Sequence, residues 1–505
     1  MEKLLFDNGS FDDALKDKVS YPIVSPAVQI LNRQRLGQSA EITGMQLDAL
    51  RDNDIRNEEL EYFYRKSFSQ QHALSLSGGS LYSSHYFSLG YDRRLSGLVN
   101  NDDDRITINS QNTFKLLKNL DLGMGLNYVR SGSRVDSTIS LNSGTGFTPY
   151  YQFKDANGNN NLLERGFRSE YKDEALAKGF LDWSYVPLDE LQLDPLAVKS
   201  NDVRLNTSLK YTPYPGLNAA VSYQYQYTGN RSELFNDLDA YMTRNLINRY
   251  ATLSDGRVSG YPVPLGGILY EANSKAITHN IRGQLNYQKN WNKHALSALA
   301  GYELSEHDTK AYQRTRYGYD IETGNSVTID SVTVFPLNPT GFGQISTYTD
   351  RFGKVDRFRS SYANAAYTYN YKYTLSGSAR IDGSNYFGVK TNRKNVPLWS
   401  VGGIWNIDAE NFYHLNWLPV FKVRASFGYN GNLDKRNTGI TTFRRNALGA
   451  VYTNLPYASI VNIGNPELRW EKIGIANFGL DFALKDEVIS GRLEYYLKYG
   501  SDILG

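Results

Sequence analysis

Val203-Arg204-Leu205-Asn206-Thr207-Ser208-Leu209-Lys210-Tyr211 alternates apolar and polar side chains almost without a break. Pro213-Tyr214-Pro215-Gly216 follows, and then Leu217-Asn218-Ala219-Ala220-Val221-Ser222-Tyr223-Gln224-Tyr225-Gln226-Tyr227-Thr228 alternates again. A period of two puts one residue class on each face of a strand. The Pro-Tyr-Pro-Gly stretch supplies turn chemistry between the arms. The segment therefore reads as a hairpin with one apolar and one polar face. Its arms exceed the five or six residues usual for soluble strands.

The form recurs along the chain. Ile277, Ile281, Leu285 and Tyr287 oppose Thr278, Asn280, Arg282 and Gln284, and Leu296, Ala298, Ala300, Tyr302 and Leu304 come after a short link. Leu122, Met124, Leu126 and Tyr128 form an earlier stripe, and Tyr373, Leu375, Ala379 and Ile381 a later one. About fourteen strands are expected, from near residue 72 to near residue 500. Short links alternate with long ones near 132–201, 230–275, 307–357 and 431–471. An up-and-down meander with every long loop at one end gives that order, as in transmembrane barrels with tight periplasmic turns. Residues 1–66 read as a pre-strand region, with one or two helices expected over 45–66 and no helical domain. Residues 67–505 read as barrel wall.

Composition narrows the function. The 505 residues hold 55 Lys+Arg against 52 Asp+Glu, a net charge of +3, which argues against a nucleic-acid binder relying on phosphate neutralisation. Cysteine is absent, which excludes thiolate metal sites, disulfides and cysteine nucleophiles. Mean hydropathy is −0.50, and no apolar run approaches the ~20 residues of a spanning helix. Of the 39 tyrosines, Tyr128, Tyr211, Tyr227, Tyr287, Tyr302, Tyr367, Tyr369 and Tyr371 lie on apolar faces, often near strand ends, where a ring with one wet edge suits a membrane interface. The N-terminus lacks a signal-peptide pattern and the C-terminus follows directly on a strand-like run, so a part of a longer chain is expected.

A further set of segments carries a resemblance. Ser69-Gln70-Gln71-His72 precedes Tyr86-Phe87-Ser88-Leu89-Gly90-Tyr91. Arg380-Ile381-Asp382-Gly383-Ser384-Asn385-Tyr386-Phe387-Gly388 leads to Glu410-Asn411-Phe412 and Phe421-Lys422-Val423-Arg424-Ala425-Ser426-Phe427-Gly428-Tyr429-Asn430-Gly431-Asn432. Asn465-Pro466-Glu467-Leu468-Arg469-Trp470-Glu471 precedes Asp502-Ile503-Leu504. In this order the series resembles the barrel of SusC/RagA-like TonB-dependent outer-membrane transporters, from about residue 60 onward. The resemblance implies an all-β fold: a transmembrane antiparallel barrel of about 22 strands in the full protein, about 14 of them here, without the plug domain. It implies location in the outer membrane among lipid, a SusD-like surface lipoprotein partner, and TonB acting through the N-terminal region lacking here. It also implies active import of an oligosaccharide or a peptide, with no bond in the substrate changed. A passive porin or adhesin barrel and a soluble β-rich carbohydrate-binding protein are the alternatives.

No catalytic, metal or cofactor constellation stands out. None of the six histidines pairs at metal-ligand spacing, and neither a G-x-S-x-G elbow nor a Walker loop occurs. Asp102-Asp103-Asp104 reads as a solvated loop, and Asp155, Asn157, Asn159 and Asn161 as turn residues. Arg380 and Asp382 share the polar face two residues apart, so an ion pair bracing the lumen wall is expected, with a plug contact and then a direct substrate contact as the alternatives and Ser384 completing the motif. Long loops are the usual carriers of binding residues. Tyr150, Tyr151, Trp183, Tyr241, Tyr317 and Tyr319 are therefore the candidate substrate or partner aromatics, with packing within the loops as the competing role.

Overall fold

The computed structural model describes residues 1–136, 149–191, 193, 196–385, 395–432, 440–450, 452–453, 455–464 and 471–501. The quoted 386–388, 465–470 and 502–504 lie outside them. One fourteen-stranded sheet dominates, each strand antiparallel to its sequence neighbour in the sheet. Its strands are β1 (Phe68–Gly79), β2 (Ser83–Leu95), β3 (Asp102–Leu117), β4 (Leu120–Val135), β5 (Leu196–Tyr214), β6 (Leu217–Asn236) and β7 (Gly267–Trp291). There follow β8 (His294–Tyr319), β9 (Asp350–Tyr369), β10 (Tyr373–Ser384), β11 (Asn395–Asn406), β12 (Val420–Asn432), β13 (Glu471–Ala483) and β14 (Ser490–Ser501). Asp102 to Asp104 belong to β3 rather than to a loop, with Asp103 paired to Arg94 at 2.6 Å. Gly431 stays in register opposite Lys472, so Asn430-Gly431-Asn432 is strand and not a positive-φ turn.

Register aligns the apolar stripes of successive strands. Leu217, Tyr287, Ala298, Ala365, Gly377, Val401, Phe427, Ala476 and Leu497 are cross-strand partners in one unbroken row. This face is uncovered: Leu209, Val221, Leu285, Tyr302, Leu375 and Val401 are all exposed. Among the described residues no second sheet packs on it, which argues against a sandwich and fits a lipid-facing wall. On β6 the stripe runs from Leu217 to Tyr227. Ten rises of ~3.3 Å at a tilt of ~40° give a band ~25 Å tall, the height of a barrel's lipid-facing zone. Tyr211, Trp291, Tyr369, Tyr373 and Trp405 mark its edge on the short-turn side.

At that end Glu410, from the quoted Glu410-Asn411-Phe412, locks a connection to the girdle. Its carboxylate accepts from Lys372 Nζ at 2.8 Å, from the Tyr373 hydroxyl and from Trp405 Nε1 at 3.1 Å. These donors, Lys372 foremost, hold its pKa down at about 2.

At the opposite end the strands outrun the sequence reading. β7 has 25 residues and β8 has 26, or ~80 Å of chain each, far more than a bilayer needs. The expected loops 230–275 and 307–357 shrink to 237–266 and 320–349.

Helices are more numerous than the one or two expected over 45–66. Among the described residues eight α-helices occur: α1 (Glu2–Asp7), α2 (Asp12–Lys16), α3 (Pro26–Arg35), α4 (Ala40–Ala49), α5 (Ile55–Tyr62), α6 (Ser169–Ala177), α7 (Pro187–Glu190) and α8 (Tyr241–Tyr250). Ser25 caps α3 by accepting from Val28 N at 3.2 Å, with Pro26 fitted to the first helical turn. The N-terminal helices join the β4–β5 connection through Arg168 N to Tyr21 O at 3.1 Å and Ile55 N to Pro149 O at 3.0 Å. Together with segments 237–266 and 320–349 they build a cap over the long-loop end. Ile268 and Tyr317, on the polar-face side of β7 and β8, join its core.

Candidate functional site: the inner wall and its cap

The polar face carries a connected network in mid-sheet. Glu303 on β8, Ser360 on β9 and Asp382 on β10 are register partners. Arg282 on β7 reaches Glu303 at 3.0 Å. Arg380 Nε donates to both Asp382 carboxylate oxygens at 2.8 Å, and its Nη2 donates to Ser360 Oγ at 2.8 Å. The same guanidinium lies 5.8 Å from the Tyr362 ring centre, and Tyr362 donates to Gln284 Oε1 at 2.8 Å. Two ion pairs and the neutral Ser360, Tyr362 and Gln284 thus tie four strands together, and no member is left to face an apolar medium alone. A concavity of about 360 Å³ opens beside Arg380, Asp382 and Ser360. A wider polar trough of about 620 Å³ runs past Gln111, Asn206, Gln224, Asn280 and Arg282. Ser384 is buried at the end of the same face.

Gly301 explains how Tyr362 lies flat. A Cβ at Gly301 would sit 2.4 Å from the Tyr362 ring, so only a missing side chain lets the ring cross the strand. Glu303, Ser360 and Tyr362 were not singled out by the sequence, and Gln284 was read only as one residue of a polar face. Their shared face was readable, but the register that joins them was not.

Most of the candidate aromatics serve a different place. Tyr151, Trp183 and Tyr241 lie buried in one cluster with Phe153, Phe167 and Tyr171. Trp183, only 1% exposed, has Phe167 at 5.3 Å, Tyr171 at 5.5 Å and Phe180 at 5.8 Å, and its Nε1 donates to Asn245 at 2.9 Å. The Tyr241 hydroxyl donates to Arg165 O at 3.1 Å. Tyr317 is buried in a second cluster and donates to Ser346 O at 2.5 Å. Tyr319, half-buried at the end of β8, packs edge-on against Phe235 at 5.8 Å. Tyr150 is half-buried against Glu2, whose hydrogen bond raises the tyrosine pKa. These rings cement the cap, and the structure does not bring the six together as one open surface.

The cap also buries ionisable groups. Burial pushes the Tyr151 and Tyr171 hydroxyls well above the usual tyrosine range, and Tyr185 up to about 12. Lys172 on α6 is buried, its Nζ has no hydrogen-bond partner among the described residues, and desolvation lowers it to about 8. Asp155 accepts from the backbone of Asn157 and Asn159, each at 2.8 Å, which is turn geometry. Among the described residues no group of three or more potential ligands could hold a metal ion.

No family model matches the chain. It is 26% identical over 404 residues to the TonB-dependent receptor P39 of Formosa agariphila, covering 76% of this chain and 34% of the receptor. It is 23% identical over 451 residues to the TonB-dependent receptor P3 of the same organism, covering 85% of this chain and 40% of that one. A stretch of 175 residues, 33% of this chain, is 27% identical to the TonB-dependent receptor SusC of Bacteroides thetaiotaomicron, 16% of whose length it covers. Among solved structures, the RagAB peptide importer in its 'closed-closed' state superposes with a TM-score of 0.66 at 19% identity, covering 88% of this chain and 45% of that one. The RagAB peptide transporter gives 0.66 at 19% identity, covering 97% and 54%. The chain therefore spans well under half the length of the curated relatives. The fold is that of an outer-membrane antiparallel barrel wall, and the likeness to SusC/RagA-like TonB-dependent transporters runs along most of the chain.

Proposed function

We propose that this SusC/RagA-like chain forms barrel wall and extracellular cap of an importer that takes a nutrient across the outer membrane, energised through TonB. The observation that carries this is the pairing of an uncovered apolar face ~25 Å tall with a polar, charge-bridged inner face. The relatives named TonB-dependent receptors support the energised mode of import. Substrate enters beneath the cap and passes along the wall that bears Arg282, Glu303, Arg380 and Asp382. These groups offer paired, hydrated charges and amide edges, which suit a polar solute that is released again. The substrate is an oligosaccharide or a peptide, and a SusD-like lipoprotein sits at the capped end as its partner. The likeness to SusC and to the RagAB peptide importer supports that pairing. The Arg380–Asp382–Ser384 motif braces the inner wall.

The test uses the full-length protein in its own cells. Uptake of a labelled oligosaccharide and of a labelled peptide is followed with and without a protonophore. Loss of uptake with the protonophore supports the proposal and identifies the substrate class. Uptake that survives the protonophore points to a passive pore and overturns it.

A further inference from the structure

The outer face changes character abruptly where the apolar band ends. On β5 to β7 the last apolar row is Val203, Tyr227 and Ile277, and it continues through Asp308 on β8 to Val355 on β9. Two positions further up, on the same face, Asn201, Gly229, Lys275 and Lys310 are register partners. Arg130 on β4 pairs with Asn201 and extends that row. The next row is Lys199, Arg231, Asn273, Tyr312 and Arg351. Arg130, Lys199, Arg231, Lys275, Lys310 and Arg351 are exposed.

Acidic groups answer only some of this charge. Arg231 pairs with Glu233, Lys310 with Asp308 at 2.8 Å, and Arg314 and Arg316 with Glu271 at 2.6 and 3.0 Å. Among the described residues Lys199, Lys275 and Arg351 have no ion-pair partner, though Asp350 lies beside Arg351. With Lys310, Arg231 and Tyr312 they line a concavity of about 770 Å³, whose one acidic lining residue is Asp350. It lies on the lipid side of the wall, whereas the cap core joins the other side through Ile268 and Tyr317.

We infer that this concavity binds the phosphate-bearing headgroup of an outer-leaflet lipid. The inference rests on the barrel reading above. A lipid whose chains lie on the Val203–Tyr227–Ile277 row brings its headgroup to the level of Lys275 and Lys199. Cations placed just beyond the hydrocarbon edge attract anionic headgroups, and Lys and Arg donors bind phosphate oxygens by charge-assisted hydrogen bonds. Tyr227 and Tyr312 place wet-edged rings at the same boundary. A soluble substrate on the import route would not meet this face.

The test compares the full-length protein with K199Q, K275Q and R351Q, singly and combined, all purified in detergent. Three probes are titrated by native mass spectrometry: bis-phosphorylated lipid A, its phosphate-free counterpart, and inorganic phosphate. Heat-sensitive gel mobility reports separately whether each barrel is folded, so failure of the fold is distinguishable from failure of the site. Wild type should hold the phosphorylated lipid, and each substitution should weaken it about fivefold, the triple on the order of a hundredfold. The phosphate-free lipid should bind folded wild type and triple variant alike. Equal retention of phosphorylated lipid by folded wild type and triple variant overturns the inference. So does inorganic phosphate binding as tightly as the lipid, which would make the site one for a soluble anion. If the triple variant does not fold, the folded single variants decide by the same criterion.

Discussion

Placing an arginine at Val221 tests the outer face at its most sensitive point. Val221 is 57% exposed, lies four positions from Leu217 and six from Tyr227, and so falls near the middle of the ~25 Å band. Its register partners are Leu209 and Gly283, so no carboxylate stands directly opposite. An arginine there should destabilise the barrel by about 2–4 kcal/mol, the cost found for that residue at a bilayer midplane. Gln224→Arg is the matched control on the inner face. It removes one hydrogen bond from Asn280 at 2.8 Å, worth about 1 kcal/mol, and adds a charge to a wall that already carries Arg282. The assay is the urea midpoint of the full-length protein in lipid vesicles, read by the mobility difference between boiled and unboiled samples. Equal tolerance of the two substitutions, or a larger loss from Gln224→Arg, would refute the face assignment.

Three further outcomes follow from the same structure. Trp183→Ala should loosen the cap by about 3–5 kcal/mol, since a buried ring and its hydrogen bond to Asn245 are both lost, and limited proteolysis should then cut within 149–191 while the barrel stays folded. Gly301→Ala should cost about 1–3 kcal/mol because Tyr362 must leave Gln284 and Arg380, and an unchanged urea midpoint would contradict that packing. Cap stability should rise from about pH 8 to pH 10. In that range the unfolded chain keeps a proton on Lys172 that the folded cap has released, and stability rises with pH wherever the unfolded state binds more protons. Above pH 10 the sign reverses, because Tyr151, Tyr171 and Tyr185 hold their protons when folded and lose them when unfolded. Protease resistance of the cap across this range should therefore peak near pH 10 in wild type, and the rise below it should vanish in Lys172→Met.

The barrel wall was legible because lipid and water impose opposite demands on alternate residues. Leu217 to Thr228 shows that pattern with a single interruption at Ala220, so strand, turn and face all follow from spelling. The upper reaches of β7 and β8 were not legible for the same reason. Beyond Ile277 the outer face of β7 carries Lys275 and Asn273 while its inner face carries Ala276, Ala272 and Ile268, and β8 is largely polar on both faces from Ser305 to Thr315, so the wall's pattern inverts on one strand and fades on the next while the backbone continues as strand. The cap hid its helices differently. Tyr171, Lys172 and Ala175 are buried on α6 by partners distant in sequence, and a nine-residue helix has too short a pattern to announce itself. The Ser25-Pro26 start of α3 did carry a local signal for a helix. Of the inner network, Arg380 and Asp382 could be paired from spacing alone. Glu303, Ser360 and Tyr362 required the cross-strand register, which no single strand encodes.

The most direct test of the wall is a cysteine scan along β6, made simpler because these 505 residues hold no cysteine. Single cysteines at positions 217 to 231 of the full-length protein would be labelled with a fluorophore, reconstituted, and exposed to a quencher attached to lipid chains. Quenching is predicted at 217, 219, 221, 223, 225 and 227, absent at the even positions between them, and fading at 229 and 231 where the basic rows begin. Uniform quenching, or none with a period of two, would contradict a wall with lipid on one side and a water-filled route on the other.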